Sequence, residues 1–252
     1  MKKKVVFCTP FMGDRPTKPF IKSLGDCLPA IEEAGFDHAF VQEVNCPYIS
    51  AARAKLLRKA LDASADIIVF LDYDVSWTPE AMVKLLTAEG EVVAGTYRKK
   101  SEKDVEYMGV LSSGMNGDLI SREDGALQAE FVPGGFLKVT KEAIEIFAKA
   151  YPELLFGEIM HPSLDLFNHG VRDRIWYGED YAFSRRWRDA GQKLWLLPDL
   201  DLDHNKDDIC YKGNFHTYLK EWTPDEEGKE SIHDEDVADS DRRAYSGDVE
   251  IG

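Results

Sequence analysis

The sequence predicts an α/β fold: a doubly wound, mostly parallel sheet with a small antiparallel extension. Three observations carry this. Short apolar runs alternate with stretches of helical spacing over the first ~100 residues, the pattern of strand–helix–strand units. One of these runs, Ile67 to Leu71, is continuously apolar, which suits a parallel strand covered on both faces. The middle of the chain, Val105 to Val132, then mixes short apolar segments with Gly, Ser and Asn, as antiparallel strands or loops do.

Lys4 to Thr9 ("KVVFCT") reads as the first strand, broken by Pro10 and Gly13. Phe20 to Ala34 has helical spacing, with Pro29 marking a kink or split. Asp37 to Glu43 is a second strand, and Ser50 to Ala63 a helix with Leu56, Leu57, Ala60 and Leu61 on one face. After the Ile67–Leu71 run, Thr78-Pro79 supplies an N-cap and a first helical position. Val92 to Tyr97 is a further strand. Lys141 to Ala150 and Tyr181 to Ala190 are helices, and Lys193 to Leu197 a short strand. There is no internal repeat.

The 252 residues fit one domain over 1–220 and a tail over 221–252. The tail, Glu221 to Gly252, holds 12 acidic and 3 basic residues, a net −9 out of the −15 of the chain. Such a segment is expected to be loosely held. The acidic balance argues against a broad nucleic-acid surface. No run approaches the roughly 18 apolar residues of a membrane span, and the basic amino terminus lacks a signal-like apolar core. Cys8, Cys27, Cys46 and Cys210 are scattered with no CxxC pair, so no zinc knuckle or redox dithiol is suggested. The expectation is a cytoplasmic protein.

The chemistry concentrates in two acidic pairs. The apolar run ends on Asp72 and Asp74. In an extended chain these face the same way. At the carboxyl end of a parallel strand that is the ligand crevice. Two charges ~5 Å apart repel by about 3 kcal/mol at an effective dielectric near 20. A divalent cation offsets this, since Mg²⁺ and Mn²⁺ take carboxylates together with substrate phosphates. Helix capping is the alternative, although Thr78 and Pro79 already serve the next helix. The second pair, Glu179 and Asp180, opens "EDYAFSRRWRDAG", where Phe183, Trp187 and Ala190 share an inward face and Arg185, Arg186 and Arg188 lie mostly outward. As first-turn acids they also suit the helix dipole without any catalytic role.

"ADIIVFLDYDVSWTPEAMVKLL" resembles the central stretch of GT-A-fold glycosyltransferases, particularly family-two-like bacterial and viral enzymes. "ISAARAKLLRKAL" is similar to the helix before that motif, and "VVAGTYRKK" to the strand after it. Arg53 matches the arginine of an Arg-Asn pair and is a candidate contact to the nucleotide sugar, but Ala54 stands where asparagine is expected. The resemblance implies a GT-A, Rossmann-like sheet and a metal, Mn²⁺ or Mg²⁺, held by Asp72 and Asp74 against the diphosphate of a nucleotide sugar. It implies that Asp180 accepts the proton of an attacking hydroxyl in an inverting transfer, with Glu179 orienting the acceptor or neighbouring backbone. A sugar hydroxyl is a poor nucleophile and needs such an acceptor; the helix end is expected to lower the carboxylate's basicity. Gly134-Gly135 permit close backbone approach, or merely a turn; the resemblance sets them beside donor and acceptor. "LPDLDLDHNKDDICYKGNF" is similar to a late loop whose histidine completes the metal site. His204 matches it, Lys206 replaces an expected glycine, Lys212 is a further phosphate candidate, and His216 is in reserve. Thr9 and Pro10 are expected under the base, Glu43 at base or ribose, and Arg15 at phosphate. His38, His161, His169 and His233 carry no assignment.

The implied function is transfer from a nucleoside-diphosphate sugar, UDP-linked by preference, to a hydroxyl of a glycan, protein or modified nucleobase. The implied setting is bacterial or virus-infected host cytoplasm. A sugar-nucleotide nucleotidyltransferase is the alternative, disfavoured by the glycine-poor "CTPFMGDRPTKP" loop. A non-catalytic nucleotide-sugar-binding module is a third reading.

Overall fold

The computed structural model describes residues 2–13 and 16–221. Contacts define a compact unit, Met1–Tyr218, and a second unit, Leu219–Gly252, of which only the first three residues are described. The acidic tail expected over 221–252 therefore falls almost wholly outside the described residues, as does Arg15.

Along the chain run β1 (Lys3–Phe11), α1 (Lys18–Glu33), β2 (Phe36–Val44), α2 (Ile49–Asp62), β3 (Ile67–Leu71), β4 (Val75–Trp77), α3 (Pro79–Thr87) and β5 (Val92–Gly95). Then come β6 (Val110–Leu111), β7 (Leu127–Phe131), β8 (Phe136–Thr140), α4 (Lys141–Ala150), β9 (Leu155–Gly157), β10 (Pro162–Leu164), β11 (Gly170–Arg172) and β12 (Ile175–Tyr177). The last elements are α5 (Glu179–Asp189), β13 (Leu194–Leu197), β14 (Leu202–Lys206), β15 (Ile209–Tyr211) and α6 (Phe215–Glu221). The described residues form one large sheet in the order β2-β1-β3-β8-β5-β13-β7-β6. Strands β2, β1, β3, β5 and β13 share one direction. The α/β, mainly parallel expectation holds.

Period-two alternation splits the core between the two faces. Val5, Phe7, Val69, Leu71 and Val93 join Phe20 and Ile31 of α1 and Met82 and Leu85 of α3 in one cluster. On the opposite face Phe70 meets Phe167 edge-on at 5.0 Å, and Phe167 meets Phe183 of α5 at 5.1 Å. Each fully buried large side chain contributes about 1.5–3 kcal/mol. Every residue of β3 is buried, which explains its unbroken apolar run.

Strand β8 departs from expectation. The segment between Gly134-Gly135 and the Lys141 helix has no element predicted from the sequence. It is an antiparallel strand inserted between β3 and β5. Lys138 hides its alternation in the sequence, because it sits in mid-strand yet is buried, with its ammonium on the Ala88 carbonyl. Burial pushes the Lys138 ammonium down to about 8.

Helices α3 and α4 start on threonine caps, the first of them expected from the sequence. Thr78 Oγ1 accepts from the Ala81 N–H at 3.2 Å, and Thr140 Oγ1 from the Ala143 N–H at 3.1 Å. No helix among the described residues is long and apolar enough to cross a membrane. Thr78→Ala should lower stability by about 1 kcal/mol in urea unfolding, the usual worth of an N-cap; no change would show that Pro79 alone sets the start of α3.

Candidate active site

The site begins where β3 stops. The Asp72 N–H donates to the Gly135 carbonyl at 2.9 Å, and the Val75 N–H to the Asp72 carbonyl at 3.1 Å. The chain thus leaves the large sheet in a tight turn over Asp72–Asp74 before β4 begins. This corrects the expected geometry. The two aspartates are not neighbours on one face of an extended strand; the turn sends them to different partners.

Asp72 meets Arg53 of α2, whose Nη2 donates to Asp72 Oδ1 at 3.0 Å. The same guanidinium donates through Nη1 to Glu179 Oε1 at 3.1 Å. Arg53 is 2% exposed, and its plane lies over the Phe167 ring at 4.8 Å. Burial opposes its charge, but Asp72, then Glu179 and Asp180, outweigh that and raise its pKa above the usual value. Arg53 is therefore an internal counter-ion joining α2, the end of β3 and the start of α5. Glu179 serves that ion pair.

The two glycines exist for this junction. A Cβ on Gly134 would lie 2.5 Å from Arg53 Nη1, and one on Gly135 would lie 2.4 Å from Asp72 Oδ2 and 2.2 Å from Tyr97 Oη. Close approach, not a positive φ, demands glycine at both positions. Tyr97 Oη donates to Asp72 Oδ2 across 3.5 Å. Burial first, then the Asp72 charge, pushes its phenol well up, so it stays a donor.

Asp74 is placed by the small sheet β15-β14-β4. Its carbonyl accepts from the Asn205 N–H at 2.7 Å and from the Asn205 side-chain amide at 3.1 Å. Register sets His204 opposite Val75, which brings His204 Nε2 to 3.7 Å from Asp74 Oδ1. His204 Nδ1 lies 2.8 Å from the Arg98 carbonyl. A carbonyl only accepts, so Nδ1 carries a proton, and Nε2 is the ring atom that faces Asp74. The ring stands edge-on to Tyr97 at 4.9 Å. Asp74 Oδ2 holds the Lys100 ammonium. Burial works to raise the Asp74 pKa, but the neighbouring His204 and Lys100 prevail and lower it.

Asp180 lies in the first turn of α5, partly buried, with Oδ1 accepting from the Tyr181 N–H at 2.9 Å. Burial, then the neighbouring Glu179 charge, raises its carboxyl from 3.8 to about 6, against the pull of Arg53. The expectation of a lowered basicity at the helix end is therefore reversed. Desolvation and like charge outweigh the amide dipoles.

Asp72, Asp74, Arg53 and Glu179 line a cleft of about 250 Å³ with Pro10, Phe11, Met12 and Glu43. Glu43 is held by Lys55 at 2.9 Å and Lys59 at 2.8 Å. Thr9 is wholly buried, its hydroxyl has no partner, and it does not line the cleft, so the expected place under the base falls to Pro10. Lys206 and Lys212 are exposed near the β14–β15 hairpin. His216 is on α6, its N–H bonded to the Pro198 carbonyl, so His204 is the histidine beside Asp74. Arg185, Arg186 and Arg188 are not outward-facing. They are half-buried against Tyr177, the Asn168 carbonyl and Phe131.

Lys100, Tyr97 and Asn205 are site residues that the sequence reading missed. The available signal was the basic "RKK" that follows a strand end in an acidic chain.

Among the described residues no three His, Cys, Asp or Glu side chains form a metal-binding cluster. The donor set nevertheless fits an ion that draws its remaining ligands from a phosphate and water. Asp74 and His204 face each other, and the histidine is oriented by a carbonyl behind it, as ligating histidines are.

No family model and no curated protein matches the chain. Among solved structures it is similar to A197 from STIV, at 16% identity and a TM-score of 0.47, over 91% of this chain and 100% of that one. It is also similar to a Drosophila β1,4-galactosyltransferase 7 mutant in complex with manganese, UDP-Gal and xylobiose, at 15% identity and 0.44, over 93% and 79%. A third is UDP-glucose pyrophosphorylase complexed with UDP-glucose, at 11% identity and 0.40, over 88% and 100%. All three scores lie below 0.5, so the chemistry of the site has to be read from the chain's own residues.

Removing Arg53 strands two carboxylates. Arg53→Ala should cost about 3–5 kcal/mol in urea unfolding. Arg53→Lys should recover little of it, because a single ammonium cannot reproduce the fork. A cost under about 1 kcal/mol would contradict the hub.

The Asp180 shift has a definite sign. A folded pKa above the ordinary value means the protonated group favours the fold. That stability is present below about pH 4 and is lost as pH rises through 6. Asp180→Asn should therefore gain on the wild type by about 1–3 kcal/mol between pH 4 and 7. Parallel pH profiles would contradict the shift.

Proposed function

We propose that the chain is a glycosyltransferase that moves a sugar from a nucleoside-diphosphate sugar to a hydroxyl acceptor, with inversion. The observation that carries this reading is that two differently tuned acids both act on the buried Tyr97, Asp74 lining the cleft and Asp180 lying beside Arg53. Asp74 is kept ionised beside an oriented imidazole, and Asp180 is raised to about 6. An acid in that range can take a proton near neutrality without being fully protonated beforehand.

Asp180 accepts the acceptor's hydroxyl proton while that oxygen bonds to the anomeric carbon. The bond from that carbon to the diphosphate breaks, and its electron pair leaves with the nucleoside diphosphate. Asp74 and His204 are the residues that would hold a divalent ion, Mn²⁺ or Mg²⁺. When bound, that ion supplies Lewis-acid neutralisation of the departing phosphates. Arg53 keeps Asp72 and Glu179 in place and their charge balanced. Pro10 and Glu43, at the far side of the cleft, are suited to base and ribose. UDP is the favoured nucleotide because it is common in the family the sequence resembles. A glycan, a protein or a modified nucleobase remains the range of acceptors.

UDP release from UDP-sugars with Mn²⁺ tests the reading. Asp180→Asn and Asp74→Ala should each lower turnover by about 100-fold or more. In the wild type kcat/KM should fall as pH drops below about 6, as the base is protonated. Undiminished turnover in both variants would refute the assignment, and pyrophosphate release from a nucleoside triphosphate would favour the nucleotidyltransferase.

A further inference from the structure

The cations paired with Asp72 and Asp74 are held in very different ways. Arg53 is nearly inaccessible and bridges two carboxylates, so it cannot leave one without abandoning the other. Lys100 pairs with Asp74, its side chain is 27% exposed, and its ammonium rides on a flexible four-carbon stem. His204, on the other side of Asp74, cannot turn away. Its Nδ1–H is bonded to the Arg98 carbonyl and its ring is wedged against Tyr97. Asn205 pins the Asp74 backbone from below. A cation arriving between Asp74 and His204 thus meets a fixed carboxylate, a fixed ring nitrogen and one removable positive charge. A dication and an ammonium on one carboxylate, within about 4 Å of each other, repel strongly in a partly dry site.

We infer that Lys100 is an exchangeable counter-cation: it neutralises Asp74 until a divalent ion takes its place, and then transfers its ammonium to the diphosphate of the donor. The inference rests on the reading of this cleft as a nucleotide-sugar site. No covalent bond changes; one ion pair is traded for another. The exchange makes metal and donor support each other. The ion frees Lys100 for the phosphates, and the phosphates give the displaced ammonium a new partner. Such coupling is reciprocal by thermodynamic necessity.

The test measures two dissociation constants in wild type and Lys100→Met. Mn²⁺ affinity is read from the free-ion EPR signal, and UDP affinity by calorimetry with Mn²⁺ in excess. Lys100→Met should bind Mn²⁺ about tenfold more tightly and UDP about tenfold more weakly than wild type. These opposite signs separate partner exchange from general loosening, which would weaken both. Lys100→Arg, which keeps the charge, should stay within about threefold of wild type for Mn²⁺. Equal or weaker Mn²⁺ binding by Lys100→Met overturns the exchange, and so does undiminished UDP affinity. If wild type and Lys100→Met bind Mn²⁺ equally, and Asp74→Asn abolishes it, the exchange fails while the metal site stands. If none of the proteins binds Mn²⁺, both fail together.

Discussion

The site depends on one buried guanidinium. Arg53 sits where α2, the end of β3 and the first turn of α5 converge, and it donates to a carboxylate from each of the last two. Taking that charge out of water is costly, and its two partners repay the cost only while the geometry is kept. The result is positional. Asp72 and Glu179 are neutralised in place, and Gly134 and Gly135 give the junction the room it needs. A buried ion pair of this kind does little for net stability compared with an apolar filling. It does fix where the neighbouring acids stand.

With two of four carboxylates engaged by Arg53, the other two are free to differ. Asp180 gains from Arg53 only part of what burial and Glu179 take away, so its proton is held more tightly than in water. Asp74, at the end of the Asp72–Asp74 turn, is locked to β14 through Asn205. There the neighbouring Lys100 ammonium and His204 ring keep it ionised against its own burial. Environments that push the pKa values of nearby acids apart are how one cleft can hold both a proton acceptor and a cation-binding carboxylate.

Much of this was legible in the sequence, and the gaps have physical causes. The Ile67–Leu71 run and the Thr78-Pro79 and Thr140 starts behave as local rules predict, because caps and doubly covered strands depend on few residues. Strand β8 was illegible because Lys138 is buried in mid-strand and breaks the apolar alternation. The partners of Asp72 and Asp74 were misjudged because an i, i+2 rule holds only while the chain stays extended, and here it turns after Leu71. Lys100 was overlooked for a related reason. It reaches Asp74 through the fold, 26 residues away, and the basic run around it does not say which acid it meets. Arg53 was read as a ligand contact, yet its two carboxylate partners are far apart in sequence and come together only in the sheet.

The central claim is that Arg53 claims one aspartate of the pair and so leaves the other, with His204, to hold a cation. A crystal soaked with Mn²⁺ and UDP, measured at the manganese absorption edge, tests this most directly. The account predicts an anomalous peak between Asp74 and the Nε2 of His204, with Asp72 still on Arg53 and Lys100 turned onto the phosphates. UDP bound in the cleft with no peak there, and Lys100 still on Asp74, would contradict it.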